Sequence, residues 1–481
     1  MWDSNSLTGG DSIYAQSVAS SRMPGLPSNP ESTSLPSRPA AASSSQAATW
    51  KFALRALRYR NYRLFFTGQS VSLIGTWMTQ IATSWLVYRL TGSAWLLGIV
   101  GFASRIPTFV LGPFAGVWVD RWNRHSTLVV TQILSMLQSF ALAGLALAGI
   151  ITIREVIWLG LAQGIINAFD MPARQAFVIQ MVEDRADLGN AIALNSSMVN
   201  MARLLGPSIA GVIIAAVGEG YCFLIDGFSY LAVIASLLAM RIAPVEQRRA
   251  EKAILQELKE GWNYVTHFVP IRSILLLLAL ISLVGMQYTV LMPIFAGQVL
   301  HGGAHTLGFL MGASGVGALS GAMFLATRKN VLGLGRMIPM AAAGFGTGLI
   351  TLGLSRFLWL SLPLMLFIGC AMMIQMASSN TILQTIVEDD KRGRVMSFYS
   401  MAFLGMAPFG SLLAGGLAHY IGAPRTVMIS GAICIAGAGW FASQLSVMRE
   451  LVRPIYRTLG IIPEIASGIQ NASALQTPPE E

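Results

Sequence analysis

The stretch GPFAGVWVDRWNRHS, Gly112 to Ser126, decides how the rest of the chain is read. An apolar segment runs into it and ends abruptly in Asp120, Arg121 and Arg124, with His125 as a further base. A run of bases suffices to anchor a membrane helix on the cytoplasmic side. An acid placed directly before the bases does not help that anchoring. The stretch therefore reads as a charged knot at a helix end with a task beyond topology.

Working outward, the composition supports the membrane setting. The 481 residues are 54% hydrophobic and only 11% charged, with mean hydropathy +0.60. Soluble domains carry about 25% charged residues. A chain this apolar has no aqueous core large enough to hide its surface, so it reads as a polytopic membrane protein. The 48 glycines agree, since glycine is frequent in membrane helices. Cys222, Cys370 and Cys434 are too widely spaced for a metal or disulfide signature, and they read as small packing residues. Residues 1–50 are rich in Ser, Pro and Ala. They are expected to be a disordered cytoplasmic tail, without the basic start and apolar core of a cleaved signal peptide.

From residue 62 apolar runs alternate with short polar breaks. A bilayer core of about 30 Å takes about 20 helical residues. That places twelve spans near 64–88, 95–117, 127–149, 155–179, 191–217, 221–240, 273–298, 306–327, 337–355, 358–386, 395–418 and 425–446. They are helices, because lipid offers backbone groups no other partner and no alternating barrel pattern appears. With the N-terminus inside, 23 of the 32 Lys and Arg fall on the inner side and 4 on the outer, with 2 in the N-terminal tail and 3 within spans. This asymmetry puts both termini and the knot on the cytoplasmic side. It also explains the net charge of +10 without a nucleic-acid partner.

The chain repeats itself. MVEDRADLGNAIAL from Met181 pairs with IVEDDKRGRVMSFY from Ile386, and GPSIAG (Gly206–Gly211) is echoed by APFGSLLAG (Ala407–Gly415). An offset of about 200 residues equals six spans, the mark of a duplicated transporter with its site between the halves. The expected organisation is a six-helix bundle over 51–240, a cytoplasmic linker over 241–272 with an amphipathic helix, a second bundle over 273–448 and a cytoplasmic tail over 449–481. The linker helix lies in VEQRRAEKAILQELKEGWNYV, and it serves either as a connector or as a regulatory surface.

GVWVDRWNRH resembles the G-x-x-x-D-R-x-x-R loop between the second and third helices of the major facilitator superfamily, with Gly116, Asp120, Arg121 and Arg124 in the matching positions. GPSIAG resembles the GP-x-x-GG element of its antiporters, with Gly206, Pro207 and Gly211 matched and Ala210 in place of one glycine. NAFDMPARQAF, the VED loop and LKEGWNYV are similar to the branch containing the enterobactin exporter and macrolide-efflux permeases, the transmembrane secretion effector type. The resemblance runs from about residue 55 to 450. It implies an all-α membrane fold of two pseudo-symmetric six-helix bundles that rock about a midplane cavity, mostly lined by helices 1, 4, 7 and 10, and it implies proton-coupled export. It further implies that Asp120 pairs with bases and with a second-half helix end in the outward-facing state. Two departures stand out. Gly160 replaces the usual helix-4 Arg, and the second-half loop ATRKNVLGLGR lacks the Asp-Arg pair.

Ionisable groups inside spans are costly and mark function. Asp170 and Arg174 lie at i, i+4 on span 4 with Pro172 between them, and Arg203 is expected at similar depth on span 5. Asp170 is expected to form a network with Arg174 or Arg203 that is either a fixed salt bridge between spans 4 and 5 or a proton switch. Arg105, mid-span beside Pro107, is a candidate for that network or for an anionic substrate group. Asp226 reads as a solvated or capping group near the outer end of span 6. Gly206, Pro207 and Gly211 permit close packing. Trp77, Met78, Gln80, Gln287, Tyr288, Met372, Met373 and Gln375 are candidates for the cavity, with packing as the other reading. The whole reads as a monomeric bacterial inner-membrane exporter of a hydrophobic or amphipathic small molecule, a siderophore or a drug, driven by the proton gradient. It needs no cofactor and no metal. Lipid or nutrient movement on the same fold, and a non-transporting receptor or regulatory subunit, are the alternatives. No nucleophile–base set, metal cluster or nucleotide-binding loop points to an enzyme.

Overall fold

The computed structural model describes residues 54–241, 254–328 and 331–458, with the backbone alone described at a few positions, Asp120 among them. The first half contributes α1 (Arg60–Thr91), α2 in two segments (Ala94–Ala103 and Ile106–Arg121), α3 (Arg124–Leu147), α4 (Ile153–Met181), α5 (Arg185–Val217) and α6 (Glu219–Leu238). The second contributes α7 (Val269–Val299), α8 (Ala304–Ala326), α9 (Leu334–Leu354), α10 (Leu358–Ile386), α11 (Asp390–Ile421) and α12 (Ala423–Ser443). Two further helices, Ile254–His267 and Leu445–Thr458, accompany them. The expected 1–50 tail lies outside the described residues.

Among the described residues, eleven helices are long and apolar enough to cross a membrane, and α1 falls short by composition. The reason is its position. α1 packs against α5 and α6 and also touches α7 and α8, so Thr76, Thr79, Gln80, Thr83 and Ser84 face an internal cavity rather than lipid. The other helices begin and end where the sequence supplies caps. Asn123 Oδ1 accepts from Ser126 N at 3.2 Å to open α3, and Asp184 Oδ1 accepts from Ala186 N at 2.9 Å to open α5. Gly92 ends α1 with φ 60°, which a residue with a Cβ rarely adopts.

The expected single helix over 95–117 is broken at Ser104–Arg105, just before Pro107. α7 carries π-helical turns at Ile281–Gly285 and Phe295–Val299, and α11 carries one at Met401–Gly405. Such turns widen the helix and often sit at functional positions.

Within the halves, α1 packs on α5 and α6, α3 on α4 and α6, and α2 on α4. α8 packs on α10, and α9 packs on α10 and α12. The halves meet through two related contacts, α2 with α11 and α5 with α8. Both are tight at the ends remote from the knot. A Cβ at Gly211 would stand 2.8 Å from the Cα of Gly308, and one at Gly415 would stand 2.8 Å from the Cα of Gly98. Lipid gives no hydrophobic drive to helix association, so small residues that let backbones touch provide the contact. Tyr88 covers Gly297 at the same end. Toward the knot, by contrast, a Cβ at Gly112, Gly116 or Gly189 would meet nothing within 4 Å.

Each half is also clasped by the segment that precedes it. Before α1, Arg55 and Arg58 each reach the buried carboxylate of Asp187 at 2.7 Å, and the Tyr59 hydroxyl donates to it at 2.9 Å. The Tyr59 oxygen, accepting from Arg58, holds that guanidinium above its ordinary pKa. Before α7, Trp262 packs on Phe398 with ring centroids 6.0 Å apart, and the Lys391 ammonium sits 4.8 Å over the Tyr264 ring. Burial, and then the nearby Glu388, raise the Tyr264 phenol. The two docking loops are the two VED repeats.

Candidate transport cavity

A cavity of about 270 Å³ opens among α1, α2, α3, α4 and α6, with Thr289 and Val290 of α7 and Met311 of α8 completing its wall. Its polar wall includes Thr79, Gln80, Ser104, Arg105, Gln163, Asn167, Asp226 and Tyr230, and its apolar wall includes Ile81, Leu97, Val100 and Leu142. Such mixed walls suit amphipathic molecules. The break in α2 positions Arg105, because the residues before Pro107 lose helical hydrogen bonding. Arg105 Nη1 donates to Ser411 Oγ at 3.3 Å, and Ser411 Oγ donates to Gln287 Oε1 at 3.0 Å. Among the described residues no carboxylate lies within ion-pair distance of Arg105. Gln163 donates to Ser135 and Asn167, while its Oε1 finds no partner.

The structure divides the expected charge network. Asp170 is buried and pairs with Arg174, and it also accepts from Thr131 Oγ1 at 2.9 Å and Gln132 Nε2 at 2.8 Å. The pair therefore ties α4 to α3, not to α5. Arg203 does not join it, because α5 packs on α1 and α8 and meets α4 only lightly. The Arg203 guanidinium lies 5.8 Å from the Trp77 ring centroid, with Nη2 3.8 Å from Met372 Sδ. Arg105 likewise faces α11 rather than Asp170.

Asp226 overturns its expectation of a solvated group. It is 1% exposed and accepts from Ser139 Oγ at 2.7 Å and Thr79 Oγ1 at 2.9 Å, while Ser229 Oγ donates to the Asp226 backbone carbonyl at 2.7 Å and stands 3.5 Å from the carboxylate. The sequence signal was present in Ser229 at i+3 on α6, but the α1 and α3 hydroxyls are tertiary.

Of the residues expected in the cavity, Gln80 lines it and Trp77 stands beside Arg203. Met78, Met372 and Gln375 are buried in packing, and Met373 lies against Gly321. Tyr288 hydrogen-bonds Ser314 at 3.1 Å and packs edge-on to Phe345, while Gln287 donates to the Ser282 carbonyl at 2.7 Å. Gly206 admits the α1 backbone beside Trp77, and the Pro207 carbonyl crowds Gly308. At the knot, Arg121 is exposed and lies beside Trp122, which with Trp118 and Phe169 forms a stack. His125 Nε2 lies 2.8 Å from the Leu237 carbonyl at the end of α6. The Asp120 side chain lies outside what the structure describes.

Two six-helix halves, the first enclosing most of a polar-and-apolar cavity, define a multi-pass membrane protein, and the relatives below make it a transporter of small molecules rather than an enzyme. Residues 51–453 match the transmembrane secretion effector family, and the chain belongs to that family of the major facilitator superfamily. It is 27% identical over 385 residues to the staphyloferrin A transporter of Staphylococcus aureus, covering 79% of this chain and 96% of the relative. It is 26% identical over 366 residues to the multidrug efflux pump Tap of Mycolicibacterium fortuitum, covering 74% and 88%. Among solved structures, a bacterial homologue of the human lysosomal transporter Spinster, inward-facing and unoccupied, superposes with TM-score 0.62 at 14% identity, over 82% of this chain and 98% of that one. At that identity the likeness concerns the fold.

Proposed function

We propose that the protein is a proton-coupled exporter of an amphipathic small molecule, a siderophore or a drug, working as a monomer by alternating access in a bacterial inner membrane with both termini in the cytoplasm. The observation that carries this reading is the cavity itself: an arginine without a carboxylate partner and an unsatisfied Gln163 oxygen face apolar Leu97, Val100 and Leu142 in one chamber. A molecule with a polar or anionic end and an apolar body complements it. The name of the multidrug efflux pump Tap supports efflux, and that of the staphyloferrin A transporter supports movement of a small molecule. The tight glycine contacts remote from the knot correspond to a closed outer gate, with the knot at the inner mouth. In the opposite state Asp120, Arg121 and Arg124 close the inner end, with Gly116 admitting the approach.

The test is efflux from proteoliposomes with and without an imposed pH gradient, using a catecholate siderophore, a macrolide and a cationic dye. Gradient-dependent movement of one of them is expected. Folded protein that moves none of them, gradient or not, would sink the reading.

A further inference from the structure

We propose that Asp226 is the proton-carrying group of this transporter, with Thr79 and Ser139 as its supporting hydroxyls. The inference rests on the proton-coupled reading above and names the site.

Three features of the structure converge on Asp226. First, Asp226 is buried at the middle of the first half and still borders the cavity, so a proton reaches it through the chamber that holds the substrate. Second, among the described ion pairs none involves Asp226, whereas Asp170 has Arg174. The Arg174 guanidinium is a fixed countercharge for Asp170, whereas the hydroxyls around Asp226 carry no charge. Third, the hydroxyls that donate to it come from two other helices, Thr79 on α1 and Ser139 on α3, while Ser229 of α6 stands at 3.5 Å with its hydrogen on the Asp226 backbone carbonyl. A hydroxyl rotates to donate to a carboxylate or to accept from a carboxylic acid, so the pocket accommodates both forms. The absence of a side chain at Gly75 lets α1 approach the carboxylate, since a Cβ there would stand 2.5 Å from Asp226 Oδ1.

The surrounding titratable groups leave Asp226 as the free acid of the chamber. α1 presents Thr79, and its Arg89, near the distal end, is engaged by Glu219 of α6 at 2.7 Å. α2 presents Arg105 across the cavity, and α3 presents Ser139 and Gln138. α4 presents the closed Asp170–Arg174 pair. α6 itself adds Cys222 and Tyr230 within electrostatic reach. On α5, Arg203 is directed at Trp77 and Met372. The step is a simple transfer. The carboxylate takes one proton from water entering the cavity on one side and returns it to water on the other, with no change in oxidation state.

The first experiment needs no substrate. Infrared difference spectra of the full-length protein between acidic and basic buffer read the carboxylic C=O band directly. The expectation is a titrating band that disappears in Asp226→Asn and persists in Asp170→Asn. A band unchanged in folded Asp226→Asn overturns the proposal. Thr79→Val, which keeps the acid and removes one hydroxyl, is expected to shift the band and its midpoint. An unshifted band there also counts against the site.

The second experiment uses the cationic dye ethidium in proteoliposomes. Asp226→Asn is expected to lose the acceleration of ethidium transport by an imposed pH gradient, and Asp226→Glu is expected to regain part of it. Driven transport intact in Asp226→Asn overturns the assignment. A wild-type protein whose band titrates but whose transport ignores the gradient overturns the antiport reading instead, so the two failures are distinct.

Discussion

Two alanines at the contact of α5 and α8 provide the sharpest test of how the halves close. In Gly211→Ala/Gly308→Ala each new Cβ enters a gap where the facing Cα lies 2.8 Å away. Carbon atoms settle at about 3.5–4.0 Å, so the helices must part by about 1 Å. The neighbouring atoms are backbone and have no rotamer with which to yield. Overpacking of this kind costs about 1–3 kcal/mol. The cost falls only on the state in which the ends remote from the knot touch, so it converts to a shift of about 5–150-fold toward the alternative state. The assay is labelling by a membrane-impermeant maleimide applied to the face opposite the knot. The reporter is Leu97→Cys, a cavity-lining residue of α2 that is 4% exposed, in a background with Cys222, Cys370 and Cys434 replaced by alanine. Labelling is expected to rise at least about fivefold. Gly439→Ala, where a Cβ meets nothing within 4 Å, is the control and is expected to change nothing. A folded double variant with unchanged labelling would refute the view that this glycine contact is a state-specific seal.

Three further outcomes follow from the geometry. Removing one partner of the buried Asp170–Arg174 pair with Arg174→Gln is expected to cost about 3 kcal/mol, and Asp170→Asn/Arg174→Gln is expected to recover part of it, as read by thermal unfolding in detergent; equal losses in the single and double variants would contradict the pairing. Arg105→Gln is expected to raise KM at least tenfold for a carboxylate- or catecholate-bearing substrate and little for a cationic dye, in line with a contact worth about 1.5–3 kcal/mol; equal effects on both would assign Arg105 to the α2–α11 contact alone. Trp262→Ala removes an aromatic contact worth about 0.5–1.5 kcal/mol and is expected to speed hydrogen exchange at the start of α11 while leaving the start of α5 unchanged.

The sequence reaches far into this fold because its strongest signals are local. An apolar run of span length needs no partner to be recognised, and the VED repeats at Met181 and Ile386 report the duplication by themselves. Even so, α1 is expected merely as one span of twelve, and only its neighbours explain why it tolerates Thr76, Gln80 and Thr83. The site is less legible. Asp170 and Arg174 share a helix, so i, i+4 spacing suffices to pair them. Equal depth does not bring Arg203 to them, because α5 turns instead to α1 and α8.

The sequence by itself thus determined the membrane class, the number and duplication of helices, the family and the within-helix charge pair, all properties set by residues a few positions apart or by summed composition. The tertiary structure alone decided which helix faces meet. That placed Arg105 in the chamber with no carboxylate within ion-pair distance among the described residues, brought Gly211 onto Gly308, and surrounded Asp226 with hydroxyls from α1 and α3. A helix presents every residue to some direction, and only packing decides whether that direction is lipid, protein or cavity.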